Sequence, residues 1–325
     1  MRAVWSFWTK PFEAHDHRRW LSRRQYLLSW ILSFGSISKH YPQTALFTDD
    51  DGARLLIDQL KLPFVEVSTE LNKLAHHDPG FWTMGKLYTY RAQKEPFIHF
   101  DNDLFLFKPL PEELASAPVL AQNPEPDSFY QPEFLEASLS EAGSVWLPAE
   151  WVWYRVAGSR TGGDCAGIFG GNRVDFINHF SEKAIKLVEH PDNQRGWESL
   201  EKFVPMIWVE QYLLPACVDY HRQQASSPFH DIEIRYLFES MTHAFESDRA
   251  EQLGFTHCLG DAKLNKELAA RIEARVKRDY PEHYERCLML ESFAPKGEFS
   301  PRSAKGAEYD SQGQAPSEAR RVAPG

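Results

Sequence analysis

The chain has 325 residues, 42% hydrophobic and 14% aromatic, which is enough apolar surface for a large core in one or two domains and excludes a disordered chain. A formal net charge of −10 disfavours phosphate backbones and anionic membranes as partners, so an anionic ligand would need a local basic site or a metal. No apolar run is long enough to span a bilayer, MRAVWSFWTKPFEAHDHRR lacks a signal-peptide pattern, and Cys165, Cys217, Cys258 and Cys287 form no CxxC pair, which fits a reducing cytoplasm better than a disulfide or zinc framework.

In chain order, Ala3 to Trp8 predicts a short first strand, and Trp20 to Phe34 a helix with apolar residues mostly at helical spacing. Thr44 to Thr48 (TALFT) predicts a buried strand. Asp49-Asp50-Asp51-Gly52 then caps a helix through Leu60. Phe64 to Val67 predicts a strand, Trp82 to Lys94 a helix, and Phe97 to Phe100 the next strand. This β-α-β-α order implies a mostly parallel sheet with helices on its faces, and such sheets bind ligands at the carboxyl ends of their strands.

From about 112 to 160 the chain is rich in Pro and Glu and carries the Trp-dense VWLPAEWVWYR, expected as loops and irregular strands over the same crevice. Trp146, Trp151, Trp153 and Tyr154 there are expected mainly to pack, although aromatic faces can also stack on sugars. Ala166 to Gly171 predicts a strand ending in a tight turn, and Asp175 to Glu189 a helix. Pro205 to Cys217 is an apolar segment carrying Glu210. Ile232 to Phe238 is a further strand candidate, and Lys266 to Asp279 an amphipathic helix. From about Ala294 the composition turns to Ser, Gly, Pro, Lys and Glu, which predicts a disordered tail.

The chemistry concentrates in PFIHFDNDLFLFKPLP, residues 96–111. An apolar strand runs into Asp101-Asn102-Asp103 and then into Leu104-Phe105-Leu106-Phe107. A buried, unpaired carboxylate costs several kcal/mol. Side chains at i and i+2 of an extended segment point the same way, so Asp101 and Asp103 can converge on one hard divalent cation, Mn²⁺ or Mg²⁺. Alternatively, the triplet is a turn after a strand.

A strand, a DxD triplet, an apolar segment and a Pro together resemble the metal-binding region of nucleotide-sugar glycosyltransferases with the GT-A fold, above all the glycogenin and lipopolysaccharide galactosyltransferase type. Further pieces stand in the expected order: Trp82-Thr83-Met84-Gly85-Lys86-Leu87 before the strand, Asp164-Cys165-Ala166-Gly167-Ile168-Phe169-Gly170 after it, and Glu210-Gln211. His257-Cys258-Leu259-Gly260-Asp261-Ala262-Lys263 then reads as HxxGxxK. WSFWTKPF is not the usual nucleotide-binding opening of the type, and Val145 to Gly163 has no counterpart in it.

The resemblance, which spans about 3 to 265, implies a GT-A-like, Rossmann-type α/β fold with a mostly parallel sheet flanked by helices; with the composition it gives a domain over 1–293 and the disordered tail over 294–325. It implies a UDP-sugar or related nucleotide-sugar donor, an unspecified sugar, lipid or protein acceptor, and Mn²⁺ or Mg²⁺ as cofactor. The metal ligands implied are Asp101, Asp103 and His257; the donor contacts are Thr9, Lys10, Asp49, Lys86, Gly260 and Lys263; and Asp164 and Glu210 are the catalytic candidates. Each has a plain structural reading: His257 a buried core imidazole, Asp49 a helix cap, Thr9 and Lys10 loop residues, Lys86 and Lys263 surface cations, Asp164 part of a glycine turn, Glu210 a charge on a helix face. Two other classes remain open: a non-catalytic binding module of the same fold, and a haloacid-dehalogenase-type phosphatase. The phosphatase is disfavoured because Leu104 and Phe105 follow the triplet where that group wants Thr or Val.

Overall fold

The computed structural model describes residues 1–14, 19–141, 143–158, 160 and 162–292, so the expected tail lies outside the described residues. Seven strands form one sheet: β1 (Arg2–Phe7), β2 (Thr44–Thr48), β3 (Glu66–Ser68), β4 (Phe97–Phe100), β6 (Val119–Pro124), β7 (Asp164–Gly171) and β8 (Ile234–Tyr236). Their spatial order is β3-β2-β1-β4-β7-β6-β8. All pairings are parallel except those on either side of β7, which runs against β4 and β6. Two short strands, β5 (Leu104–Leu106) and β9 (Phe255–His257), form a separate antiparallel ladder.

The sheet is covered on both faces, as near-continuous apolar strands require. Ala3, Trp5 and Phe7 of β1, Ile98 and Phe100 of β4 and Leu120 of β6 enter one core, while Val4, Phe97, Val119 and Ala121 enter the other. Helix Arg23–Ile37 lies on the first face, against helices Lys266–Asp279 and Pro281–Ser292. Arg23–Ile37 is buried nearly all round, as a helix enclosed by a sheet and two other helices must be. Helix Met84–Arg91 lies on the second face against Val174–Glu189, whose own neighbour is Leu213–Arg222.

The early alternation follows the expected order, and Thr44–Thr48, Phe97–Phe100 and Lys266–Asp279 have the expected bounds. Between 112 and 160 the structure differs. Val119–Pro124 is an interior strand, and Ala149–Ala157 is a helix rather than loop or irregular strand. Trp151 and Tyr154, three apart, face inward while Val152 and Val156 face outward. Trp146 and Trp153 pack against the same core, which agrees with a packing role.

Candidate metal and anion site

Asp101 follows the last residue of β4, with its amide donating to Gly167 O of the adjacent strand (3.0 Å). The triplet is a turn, not extended chain: Leu104 N donates back to Asp101 O (3.2 Å), and β5 starts at once. Helix Arg23–Ile37 holds the turn from below. Ser33 Oγ donates to Asp101 O (3.2 Å), and Asn102 Nδ2 donates to Ser29 Oγ (3.0 Å). The two carboxylates therefore converge through a braced turn rather than through strand alternation. Only one edge of the turn meets the cleft: Asp103 is 5% exposed, whereas Asp101 and Asn102 are half-buried.

His257 is brought in by the small ladder. It pairs with Leu104 across β5 and β9, and Cys258 N donates to Asp103 O (3.0 Å). The ligand atoms of Asp101, Asp103 and His257 all lie within 4.8 Å of one another, although about 150 residues separate them in sequence. A chain of amides fixes the imidazole. Asn123 Nδ2 donates to Pro124 O (3.0 Å), so Asn123 Oδ1 accepts from Gln122 Nε2 (3.0 Å). Gln122 Oε1 then accepts from His257 Nδ1 (2.7 Å). This assigns the proton to Nδ1 and turns the Nε2 lone pair towards Asp103 Oδ1, 3.3 Å away.

Asp103 Oδ1 is buried and makes no hydrogen bond among the described residues. A carboxylate oxygen and an imidazole lone pair facing each other at that distance repel unless a cation joins them. The donor set is hard oxygen plus one imidazole, and the tautomer is locked by an outer amide, so these residues fit a divalent ion. Gly167 makes the room: a side chain there would collide with the His257 ring and the Gln122 amide.

Two lysines flank the carboxylates. Lys263 Nζ lies 2.6 Å from Asp103 Oδ2, delivered by the turn Gly260–Leu264. That turn opens at Gly260, whose φ of +49° lies in the left-handed region that favours glycine. Lys86, on helix Met84–Arg91, reaches Asp101 Oδ1 (3.1 Å), Glu210 Oε1 (3.0 Å) and Ala166 O (3.2 Å). Burial opposes the Asp103 charge, but the Lys263 ammonium outweighs it and holds the carboxyl far below its ordinary range. Burial likewise opposes the Lys86 charge, and Asp101 with Glu210 holds its pKa above the ordinary lysine value. Burial raises Asp101 and Glu210.

Glu210 sits behind Lys86. Its Oε1 also accepts from Tyr90 OH (2.8 Å), and it is 1% exposed. It lies on a π-helical turn, Trp208–Tyr212, inside the helical run from Phe203 to Arg222. Pro215, just beyond, has no N–H for the ladder, and such widened turns recur at functional sites. Asp164 begins β7 fully buried, with Oδ1 paired to Arg160 and accepting from Tyr236 OH (3.0 Å). Its Oδ2 has no hydrogen-bond partner among the described residues, and burial pushes its pKa up to about 6.

Glu125 was not singled out from the sequence. It follows the carboxyl end of β6, and the charges of Asp164 and Glu210 act on it. Burial, against a hydrogen bond from Tyr130 OH, pushes it up to about 7. No local pattern marks it, because the strand it follows is itself masked in the sequence by Gln122-Asn123-Pro124. The glycines at 162 and 163 let the following chain pass Glu125 and Tyr130, since side chains there would strike the Glu125 carbonyl and the Tyr130 phenol.

The cleft over the triplet is lined by Trp8, Arg19, Trp20, Tyr26, Trp82 and Phe203, besides Lys86, Lys263 and the acids, and encloses about 170 Å³. A neighbouring hollow of about 450 Å³ shares Trp8 and is lined by Thr9, Lys10 and Asp49. The second alone falls in the roughly 300–1,000 Å³ range of small-molecule sites. Asp49 does cap its helix, Oδ1 accepting from Gly52 N (2.8 Å). Its Oδ2 accepts from both the amide and the hydroxyl of Thr9 (2.8 and 2.7 Å). Lys10 Nζ donates to Ala75 O and His77 O (2.9 and 2.6 Å). The structure thus gathers Lys86 and Lys263 at the acids and sets Thr9, Lys10 and Asp49 in the adjoining hollow.

Among known proteins, the model of a family described as "Family of unknown function (DUF6734)" matches residues 1–290. No curated protein matches the chain. Among solved structures, mouse xyloside xylosyltransferase 1 in its apo form aligns over 79% of this chain and 96% of its own, at 10% identity and a TM-score of 0.34, too loose a likeness to carry any argument.

Proposed function

We propose that this chain, which belongs to the DUF6734 family, is a GT-A-like glycosyltransferase that takes its sugar from a nucleotide diphosphate donor, a UDP-sugar in the first instance. One observation carries the reading: Asp101, Asp103 and His257 converge at the carboxyl edge of the sheet with Lys86 and Lys263 beside them, under an aromatic cleft. Acids alone would repel a diphosphate. Acids that hold Mn²⁺ or Mg²⁺, flanked by lysines, form an anion site on a net-acidic protein.

Asp101, Asp103 and His257 would hold the ion, which when bound neutralises charge on the diphosphate leaving group. Lys263 adds a point charge to the same phosphates, with Gly260 shaping its turn. Lys86 sits between Asp101 and Glu210, so Glu210 positions the lysine and fixes its charge. Thr9, Lys10 and Asp49 border the space for the nucleoside, with Trp8 between the two hollows. Asp164 and Glu125 lie beyond His257, where the carboxylates can bind sugar hydroxyls or take a proton from an acceptor. The buried cysteines, none in a disulfide among the described residues, fit the cytoplasmic placement proposed with this reading, and no helix among the described residues is long and apolar enough to cross a membrane.

The test is a thermal-shift series with UDP-, GDP- and CDP-sugars, with and without Mn²⁺, on the full chain and on Asp101→Asn and Asp103→Asn. The expected result is stabilisation by one nucleotide, dependent on Mn²⁺ and lost in both variants. Equal nucleotide binding with and without metal, or in the variants, removes the metal-dependent reading. Binding without sugar transfer or donor hydrolysis would leave a binding module.

A further inference from the structure

We infer that Glu150, His179 and His221 form a second metal site, of zinc type, joining three helices away from the carboxyl-edge cleft. Glu150 lies on helix Ala149–Ala157, His179 on Val174–Glu189 and His221 on Leu213–Arg222, and none of the three lines the cleft over Asp101. Their ligand atoms cluster tightly. Glu150 Oε1 is 3.2 Å from His179 Nε2 and 3.7 Å from His221 Nε2, and the two Nε2 atoms are 2.9 Å apart. Ligands about 2.0–2.1 Å from one ion at tetrahedral angles lie roughly 3.3–3.4 Å from each other. The three observed edges straddle that value.

The proton count points the same way. Two imidazole nitrogens at 2.9 Å need one proton between them if no ion is present. Ser227 Oγ lies 2.8 Å from His221 Nδ1 and also accepts from Phe229 N (3.0 Å). If Nδ1–H donates to that hydroxyl, the His221 Nε2 lone pair is turned into the cluster, the outer-shell arrangement that orients metal-bound histidines. Glu150 is 2% exposed, and its Oε2 makes no hydrogen bond among the described residues, so the carboxylate keeps unused capacity. The Phe229 ring stands 5.3 Å from both imidazoles and forms an apolar wall. The His179 side chain is 25% exposed, leaving a solvent-facing side for a water as fourth ligand.

Two imidazoles and one carboxylate suit zinc, whereas Mn²⁺ and Mg²⁺ favour the oxygen-rich set at Asp101. Lys183 Nζ, 2.9 Å from Glu150 Oε1, is the competing cation. Its side chain is 30% exposed, so it can swing to solvent when an ion enters. The bound ion would clamp helix Ala149–Ala157, whose Tyr154 donates to Gly162 O (2.8 Å) two residues before Asp164.

The experiment loads the chelator-stripped full chain with zinc in the Asp101→Asn background, removes free metal and measures the zinc retained. The expected result is one equivalent, with affinity at least about tenfold weaker in His179→Gln and His221→Gln and tighter in Lys183→Gln. No retained zinc, or equal retention in the histidine variants, overturns the site. If a histidine variant does not fold, Co²⁺ added to the Asp101→Asn chain decides. Strong visible absorption of a four-coordinate ion supports the site, and the weak absorption of a six-coordinate ion overturns it. Unchanged or weaker zinc affinity in Lys183→Gln also counts against it, because removing a cation that competes for Glu150 must favour an ion bound there.

Discussion

At Glu125 a single carboxyl group links burial to chemistry. Its folded-state pKa of about 7 lies above the ordinary carboxylate value because burial penalises the charge. Between the unfolded value near 4 and about pH 7, the folded chain keeps a proton that the unfolded chain has lost. This group's contribution to stability therefore falls as pH rises through that window. A proton acceptor, by contrast, must be charged, so activity should rise over the upper part of the same window. Glu125→Gln separates the two effects. Relative to the parent, the variant should gain melting temperature as pH rises from about 5 to 8, and turnover should drop about 10²–10⁴-fold with nucleotide binding retained. Thermal melts across pH beside a pH–rate profile of sugar transfer check this. Unchanged turnover would leave Glu125 a buried acid without a part in the reaction. Gly167 illustrates a different kind of constraint, since it matters for the imidazole and its Gln122 partner that fill the space of its missing side chain.

Two glycines divide the work of the segment after helix Ser247–Leu253. Gly254 has φ +60° and ends that helix, its carbonyl accepting from Phe107 N (2.7 Å), so it sets the entry of β9 and hence His257. Gly260 has φ +49° and open space where a side chain would be, and it sets the turn that carries Lys263. Gly254→Ala meets both the left-handed strain and the Lys108 backbone and side chain, at about 3 Å. It should cost more than about 1 kcal/mol and weaken Mn²⁺ binding. Gly260→Ala should cost about 1 kcal/mol, leave Mn²⁺ binding near the parent value and weaken the diphosphate. Calorimetric titration with Mn²⁺ alone and then with UDP reads the split, and the same loss in both titrations for both variants would refute it. The placement of these elements was legible only in part. DxD and HxxGxxK were readable because each is a short local pattern, and the early strands because their apolar runs are bounded by turn residues. The ladder that joins them was not, because three-residue strands leave almost no periodicity and their partner lies 150 residues away. β6 was hidden because its apolar start runs into Gln122-Asn123-Pro124, polar groups that serve the His257 imidazole and its shell rather than solvent. Helix Ala149–Ala157 was hidden by Trp and Val, which favour strands, until tertiary burial of Trp151 and Tyr154 set its period.

Across the whole molecule, the site draws on both ends of the described chain. β1 supplies the floor next to β4, while the ladder and turn from Phe255 to Leu264 supply His257 and Lys263. The helices that follow, Lys266–Asp279 and Pro281–Ser292, return to helix Arg23–Ile37, which itself braces the Asp101 turn through Ser29 and Ser33. Ile272, Val276, Tyr284 and Cys287 are buried in that core, so the last helix is part of what holds the turn in place. The composition beyond 293 differs in kind, because few of its residues can bury enough apolar surface to offset the entropy of ordering, roughly 1–2 kcal/mol per residue. Removal of residues 294–325 should leave the melting temperature within about 1–2 °C of the full chain and Mn²⁺-dependent nucleotide binding unchanged, since 1 kcal/mol would already shift a large domain by about 2–4 °C. Removal of residues 281–325, in contrast, exposes the packing face of helix Arg23–Ile37 and should lower both stability and metal binding. Melting curves of the two truncations with and without Mn²⁺ distinguish these outcomes. A large loss from the shorter truncation would mean that the segment beyond 293 docks on the domain.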